Sequence, residues 1–501
     1  MAKKRRLSTL PLLADTQAIA SDPAQQIRLS ASAGTGKTQV LSARVLRLLL
    51  KTVSPESLLC LTFTKAGAAE MADRIHERLG GWVTMDGPLL ATDLKNLGED
   101  YSPDAQAKAR TLFAKVLDAR GSGLRIQTIH SFCQTLLASF PAEAGLPPGF
   151  RPIEGREEEQ LAAQALSDLV EGFARDRRDG DLNRLYAMVK QLSDGVARSF
   201  LRECAYRPEA IEAIGPGVAA KVRAWLGLNE VDVEEIIRNG CSEAGFDADG
   251  LAQIIALNEA WGTATARKKI AAIQSWLALS VDERMQNLTL IHRVWSTADG
   301  KITSFAKNQA PQDDDYPALA EAQFCHFSGL VQLRRLAEMA TFIADALLIG
   351  QAYARCYADA KRAAGVVDFN DLIRHTVLLL AAPGIGEWIK FKLDQSVDHI
   401  LVDEAQDTNV DQWEIVKALA GDFFAGSGAK PGSVGRTIFA VGDFKQAIFG
   451  FQGTDPREFE RATKHFEDLA RGAEQILHRL SLSKSYRSSQ PILDVTDQVL
   501  A

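Results

Sequence analysis

Residues 31–38 read Ala-Ser-Ala-Gly-Thr-Gly-Lys-Thr. Gly34 and Gly36 can adopt the turns that let successive backbone N–H groups close around phosphate oxygens. A helix starting directly behind them adds the positive end of its dipole. Lys37 is placed to reach the β- and γ-phosphates of a nucleoside triphosphate, and the Thr38 hydroxyl to ligate Mg2+. Ala31 stands where glycine is commoner, and Ser32, Ala33 and Thr35 complete the loop. The competing reading is a glycine turn that only joins a strand to a helix, but Gly-Lys-Thr in that setting favours the phosphate cradle. Residues 399–407, His-Ile-Leu-Val-Asp-Glu-Ala-Gln-Asp, supply the other half of such a site. An apolar run ends in two acids, and ligands of parallel sheets bind at the carboxyl ends of the strands. Asp403 would hold Mg2+ through water, and Glu404 would orient and deprotonate the attacking water. Acids often only solvate a strand end; downstream of a phosphate loop the pair acquires a chemical partner.

Both segments need a parallel sheet beneath them. Residues 26–30 read as a strand, followed by the glycine turn and a helix from 37 to about 50. A second strand is expected at 57–62, a helix from 66 to about 79, and a third strand at 124–128. This strand–turn–helix rhythm implies a parallel sheet covered by helices. From about 155 to 345 the pattern changes to helical periodicity, as in 157–169 and 336–348, with polar loops at 176–181 and 309–316. Strand patterns return at 399–402 and 437–441, and the Gly/Ser-rich stretch 425–435 reads as a surface loop. The chain ends inside an expected helix at 492–500, which suggests a piece of a longer protein.

Composition sets wide bounds. The chain has 501 residues, 46% hydrophobic and 24% charged, with a net charge of −7. Two to four soluble domains fit that length, and no apolar run is long enough to span a bilayer. A basic cluster at 3–6 precedes an apolar segment too short and broken for a secretory signal. The acidic balance argues against a basic surface coat and leaves room for a local basic groove. None of the six cysteines is spaced for a metal knuckle or a disulfide framework, which fits a reducing cytoplasm.

Seven segments, in order, resemble the motifs of superfamily 1 DNA helicases of the UvrD/Rep/RecB type. They are Thr-Gln-Ala-Ile-Ala around Gln17, the phosphate loop, 61–75, 126–133, 403–407, 441–453 and 482–493, with 366–373 resembling the segment before the acidic motif. Residues 61–75, 126–133 with 140–150, and the Phe-Gln-Gly at 451–453 are most similar to the AddA branch, the helicase–nuclease subunits of AddAB-type repair complexes. The resemblance implies a RecA-like P-loop domain of α/β class carrying a large, mostly helical insertion, with ATP and Mg2+ as cofactors. It implies that Gln17 reads the adenine edge, Gln446 senses the γ-phosphate, Arg487 is an arginine finger and Tyr486 stacks on adenine. It further implies that Thr64, His130, Phe449 and Phe451 touch single-stranded DNA. Stacking on aromatic rings is blind to sequence, as a motor requires. Phe449 and Phe451 could equally pack in the core, and His130 could be a structural histidine. Three positions depart from the UvrD pattern: Gln452 for arginine, Ser485 for asparagine and Gln39 for arginine.

The domains expected are 1–150 and 350–480 as two parts of one RecA-like ATPase domain, 151–349 as the helical insertion, and 481–501 as the start of a second RecA-like domain. The implied function is ATP-dependent 3′→5′ translocation and unwinding of DNA in double-strand-break repair. The expected partners are single-stranded DNA, duplex DNA and an AddB-type subunit, with a nuclease possible beyond these residues and no membrane attachment. The rivals are a UvrD/Rep-like helicase without nuclease and a DNA-binding fragment that does not turn over ATP.

Overall fold

The structure is a computed structural model that describes residues 8–32, 34–119, 123–306, 309–424, 435–447 and 455–484. It divides into two compact units. One comprises Met1–Gly155 with Arg362–Ala501, and the other Arg156–Lys361.

The first unit is built on parallel strands. They are β1 (Gln26–Ala31), β2 (Leu58–Thr62), β3 (Arg125–Thr128), β4 (Arg151–Pro152), β5 (Val366–Val367), β6 (His399–Val402), β7 (Thr437–Gly442) and β8 (Leu477–Leu482). Six form one sheet in the order β3-β2-β6-β7-β1-β8, each pair parallel. Because both faces are covered, the central strands are apolar at every position rather than at alternate ones. Leu59, Leu61, Ile400, Val402, Ile438 and Ala440 enter one core, and Leu58, Cys60, Leu401, Phe439 and Val441 the other. The helices α1 (Asp15–Ala20), α2 (Lys37–Leu50), α3 (Lys65–Thr84), α4 (Gly87–Asn96) and α5 (Pro103–Asp118) all precede β3 in the chain, and α6 (Ile129–Ser139) follows it. Helices α2, α3, α4 and α5 pack on the second face. Helix α6 joins Phe369–Ala381, Ile385–Asp394, Val410–Ala420 and Pro456–Gly472 on the first. This is the α/β parallel-sheet class expected for a RecA-like domain.

Two elements were not anticipated from sequence. Strands β4 and β5 form a separate two-stranded parallel sheet, with Arg151 N–H donating to Gly365 O at 3.1 Å and Ile153 N–H to Val367 O at 2.8 Å. This clasp joins the chain just before the helical unit to the chain just after it. Strand β8 adds an edge to the main sheet by pairing with β1 over six residues. Most of the expected second domain from 481, the helix at 492–500 and nearly all of the Gly/Ser-rich loop lie outside the described residues.

The second unit is helical throughout, apart from one antiparallel bridge between Ser296 and Ile302. Its spine is the 49-residue helix Tyr316–Ala364, about 70 Å long at 1.5 Å per residue. Phe327, Leu330 and Val331 enter a core with Trp276, Trp295 and Ile254, while Tyr353, Ala354 and Tyr357 enter another with Phe173, Met188 and Leu201. The spine therefore extends well beyond the periodicity at 336–348, and the unit reaches Lys361 rather than 349. No helix among the described residues is long and apolar enough to cross a membrane.

Candidate active site

Strands β1, β7 and β6 are neighbours, and their carboxyl ends carry the phosphate loop, Asp443 and the Asp403–Glu404 pair. In the loop, Gly34 and Gly36 take φ of 77° and 92°, a region that strains any residue with a Cβ. Gly36 is the N-cap of α2, so the helix dipole points into the loop. A Cβ at Gly36 would lie 2.7 Å from Nε2 of Gln17, so the glutamine packs directly on the cradle. Gln17 is only 2% exposed. Its Oε1 accepts from Ala14 N–H at 3.1 Å, and its Nε2 has no hydrogen-bond partner among the described residues. An orphaned buried donor beside a phosphate loop fits a group held for a nucleobase. The Thr35 hydroxyl donates to Ser32 O at 2.7 Å, closing the turn.

Lys37 Nζ lies 2.6 Å from Oε1 of Glu404. Glu404 takes the left-handed region, with φ 51° and ψ 43°, and its N–H donates to Oδ1 of Asp403 at 2.9 Å. Asp403 is tied to the sheet by its N–H, which donates to Leu61 O at 2.9 Å. Burial of its carboxyl pushes Asp403 up to about 6; Lys37 pulls it down and Glu404 pushes it further up. A site that penalises a buried carboxylate in this way is suited to receive a cation. Among the described residues no three His, Cys, Asp or Glu side chains converge as a metal cage. Mg2+ does not need one, since it is commonly held by one or two carboxylates, substrate phosphates and waters. Thr38, the second residue of α2, and Asp403 are therefore a sufficient protein donor set.

Sequence reasoning did not single out Asp443 or Gln406. Asp443 is buried at the end of β7. Its Oδ2 accepts from Gln446 Nε2 at 2.6 Å, which fixes the turn Phe444–Gln446. Burial opposes its ionisation, but hydrogen bonds from Gln446, Lys445 N–H and Ser32, with Lys37 nearby, hold it below the usual carboxylate range. The signal was present: Ile-Phe-Ala-Val-Gly-Asp at 438–443 is a second apolar run ending in an acid. Gln446 is thus linked, through Asp443, to Ser32 of the loop.

Thr64 and His130 lie one strand further along the same edge, after β2 and β3, where Thr62 and Thr128 are in register. Thr64 caps α3, its Oγ1 accepting from Gly67 N–H at 3.0 Å. The His130 ring sits 5.0 Å from that of Phe369, and Lys65 Nζ lies 6.0 Å from the Phe369 ring centre. Burial, then Lys65, lowers the His130 pKa, favouring the neutral ring. Ala33, Phe449, Phe451, Gln452, Ser485, Tyr486 and Arg487 lie outside the described residues. The buried thiols Cys60 and Cys133 are pushed up to about 12 by burial and take no part as nucleophiles.

A phosphate loop facing two acids across adjacent parallel strands is the arrangement of a P-loop ATPase, and the family profile of the UvrD/REP helicase N-terminal domain matches residues 13–467. The chain belongs to the UvrD/REP helicase family. Similar curated proteins include the A subunit of the ATP-dependent helicase/nuclease of Bacillus pumilus strain SAFR-032, 27% identical over 96% of this chain and 38% of that protein. Its counterpart of the same name in Bacillus licheniformis is 28% identical over 94% of the chain and 38% of its own length. That of Enterococcus faecalis is 25% identical over 96% and 37%. This chain therefore spans little more than a third of the curated relatives it matches.

Proposed function

We propose that this chain forms the ATPase-bearing part of an ATP-dependent DNA helicase that translocates 3′→5′ in double-strand-break repair, within an AddA-type helicase–nuclease. The observation that carries this reading is the convergence of Lys37, Asp403, Glu404 and Gln446 at the carboxyl ends of three adjacent strands, with Lys37 2.6 Å from Glu404. ATP would bind with its adenine against Gln17 and its phosphates in the loop 31–38. Mg2+, held by Thr38 and Asp403, would neutralise charge on the β- and γ-phosphates. Lys37 donates to those phosphates, and to do so exchanges its contact with Glu404 for a phosphate oxygen. Glu404 then takes the proton of the attacking water, and Gln446 reports the γ-phosphate through its turn. Arg487 and Tyr486 belong to the same reading as arginine finger and adenine stack.

Thr64, His130, Phe449 and Phe451 are assigned to single-stranded DNA. For the first two, their position beside the ATP site on one sheet edge supports the assignment. For the phenylalanines, sequence-blind stacking does. An AddB-type partner, nuclease activity elsewhere in the protein and a cytoplasmic setting follow from the names of the relatives. The deciding experiment uses the complete protein. ATP hydrolysis should rise on adding single-stranded DNA, duplexes with a 3′ tail should be unwound before those with a 5′ tail, and a second polypeptide should co-purify. Hydrolysis indifferent to DNA would sink the motor reading. Unwinding by a protein that recruits no partner would point to a UvrD/Rep-like helicase instead.

A further inference from the structure

The geometry points to Gln406 as the positioning residue that holds the general base Glu404 in place once Lys37 has turned to the phosphates, and that links this base to the turn carrying Gln446. The inference rests on the ATPase reading above.

Gln406 is 1% exposed, and its amide orientation is fixed by its neighbours. The backbone N–H of Asp443 lies 2.9 Å from one end of the amide, and an N–H can only donate, so that end is Oε1. The other end must then be Nε2, and it faces two carboxylates: Glu404 Oε2 at 2.9 Å and Asp407 Oδ2 at 3.0 Å. Glu404 is thus gripped at both oxygens, Oε1 by Lys37 and Oε2 by Gln406. Only the first grip can be released by nucleotide, because an ammonium engaged with β- and γ-phosphates cannot stay on Glu404. The second is out of reach of solvent and anchored to the main chain of β7. Glu404 needs such a hold, since it occupies left-handed backbone without being glycine.

The surroundings are shaped to this amide. A Cβ on Gly442 would lie 2.7 Å from Gln406 Oε1 and 3.0 Å from Gln406 N, so glycine at the end of β7 leaves the space Gln406 fills. The residue that receives Gln406 on its N–H, Asp443, holds Gln446 on its carboxylate. A shift of the turn Phe444–Gln446 therefore pulls on the hydrogen bond that aims Glu404. Response to the γ-phosphate and activation of water are joined by one side chain.

The test uses the complete protein and three variants. Gln406→Glu keeps an acceptor for Asp443 N–H but replaces the donor with a third carboxylate. Gln406→Met removes both contacts at similar volume. Glu404→Gln supplies the background in which a glutamate at 406 would face an amide able to donate. Gln406→Met should lower kcat for DNA-stimulated ATP hydrolysis by roughly 10-fold and Gln406→Glu by roughly 100-fold, the scale on which mispositioning acts. KM for ATP and the Kd of a fluorescent ATP analogue should stay within about three-fold. Gln406→Glu should also lower the melting temperature in the parent protein, and the loss should be largely recovered in the double variant with Glu404→Gln. If Gln406→Glu does not fold, the double variant and Gln406→Met still give the affinity and rate comparisons. A wild-type kcat in both 406 variants, a rise in Kd matching the fall in kcat, or the same loss of melting temperature in both backgrounds would overturn the inference. Wild-type turnover by Glu404→Gln alone would instead remove the base assignment on which it rests.

Discussion

Lys37 and Glu404 form an ion pair that a phosphate must break, so each charge has two uses. Replacing Lys37 with alanine removes the only ammonium of the loop. Hydrolysis of ATP should fall by roughly 10²–10³-fold or more, as for loss of one transition-state donor, with far-ultraviolet circular dichroism unchanged. Glu404→Gln should behave differently. It can still fill the space and hydrogen-bond, so nucleotide affinity should hold while turnover drops by roughly 10²–10⁴-fold, the range of a general base. Nucleotide affinity collapsing while turnover persists would mean that the roles of Asp403 and Glu404 are exchanged. The exposure of Glu404 makes the pair itself a weak contributor to stability.

Among the elements, α2 links the cradle to the interior. Its N-cap is Gly36, whose φ of 92° and close approach to Gln17 leave no room for a side chain. Gly36→Ala should cost about 1–2 kcal/mol of stability from the left-handed backbone alone and displace Gln17, weakening ATP binding. Denaturant unfolding and nucleotide titration measure the two effects separately. Further into α2, the fully buried Arg44 donates to Ala20 O, Asp22 O, Gln25 O and the Thr437 hydroxyl. Because the Thr437 oxygen accepts from Arg44, its hydrogen is available to Nδ1 of His399, 2.8 Å away at the start of β6. Burial, then Arg44, lowers the His399 pKa to about 3. The sign follows. Between about 6.5 and 3 the unfolded chain binds a proton at this histidine and the folded chain does not. The stability it contributes is complete above about 6.5 and is lost as pH falls toward 3, by on the order of a few kcal/mol. His399→Gln should flatten the acid limb of thermal stability across that window. A limb of unchanged slope would show that the histidine is not held neutral.

At the scale of the molecule, the helical unit enters and leaves the ATPase unit through one clasp. Its two ends are joined by β4 and β5, each two residues long, with main-chain hydrogen bonds from Arg151 and Ile153. The long helix Tyr316–Ala364 ties both helical cores to a single rod. The chain spans 38% of the length of its Bacillus relatives. An arginine finger is worth about 10³–10⁵ in rate and must be held by a packed domain to act. The isolated 501-residue chain should therefore bind a fluorescent ATP analogue but neither hydrolyse ATP quickly nor separate strands. Processive unwinding by it would show that one RecA-like unit suffices.

What the sequence by itself determined was whatever is local. The phosphate loop is eight contiguous residues between a strand and a helix, and the Asp403–Glu404 pair ends a run of apolar residues, so neighbours in the chain are neighbours in the site. The strands β1, β2, β3, β6 and β7 were legible for the same reason: burial on both faces leaves a continuous apolar signature. The tertiary structure alone decided what joins distant segments. Gln406 meets Asp443 across 37 residues, and Gln17 meets Gly36 only because α1 folds over the loop. Nothing in the local pattern marks either contact, because a glutamine reads the same whether solvated or buried. The clasp of β4 and β5 is too short to carry a periodicity. The long helix buries different faces along its length, so its apolar stripe drifts and only part of it stood out. Order of strands, not their composition, set Lys37, Asp443 and Glu404 side by side, and order is a property of the folded sheet.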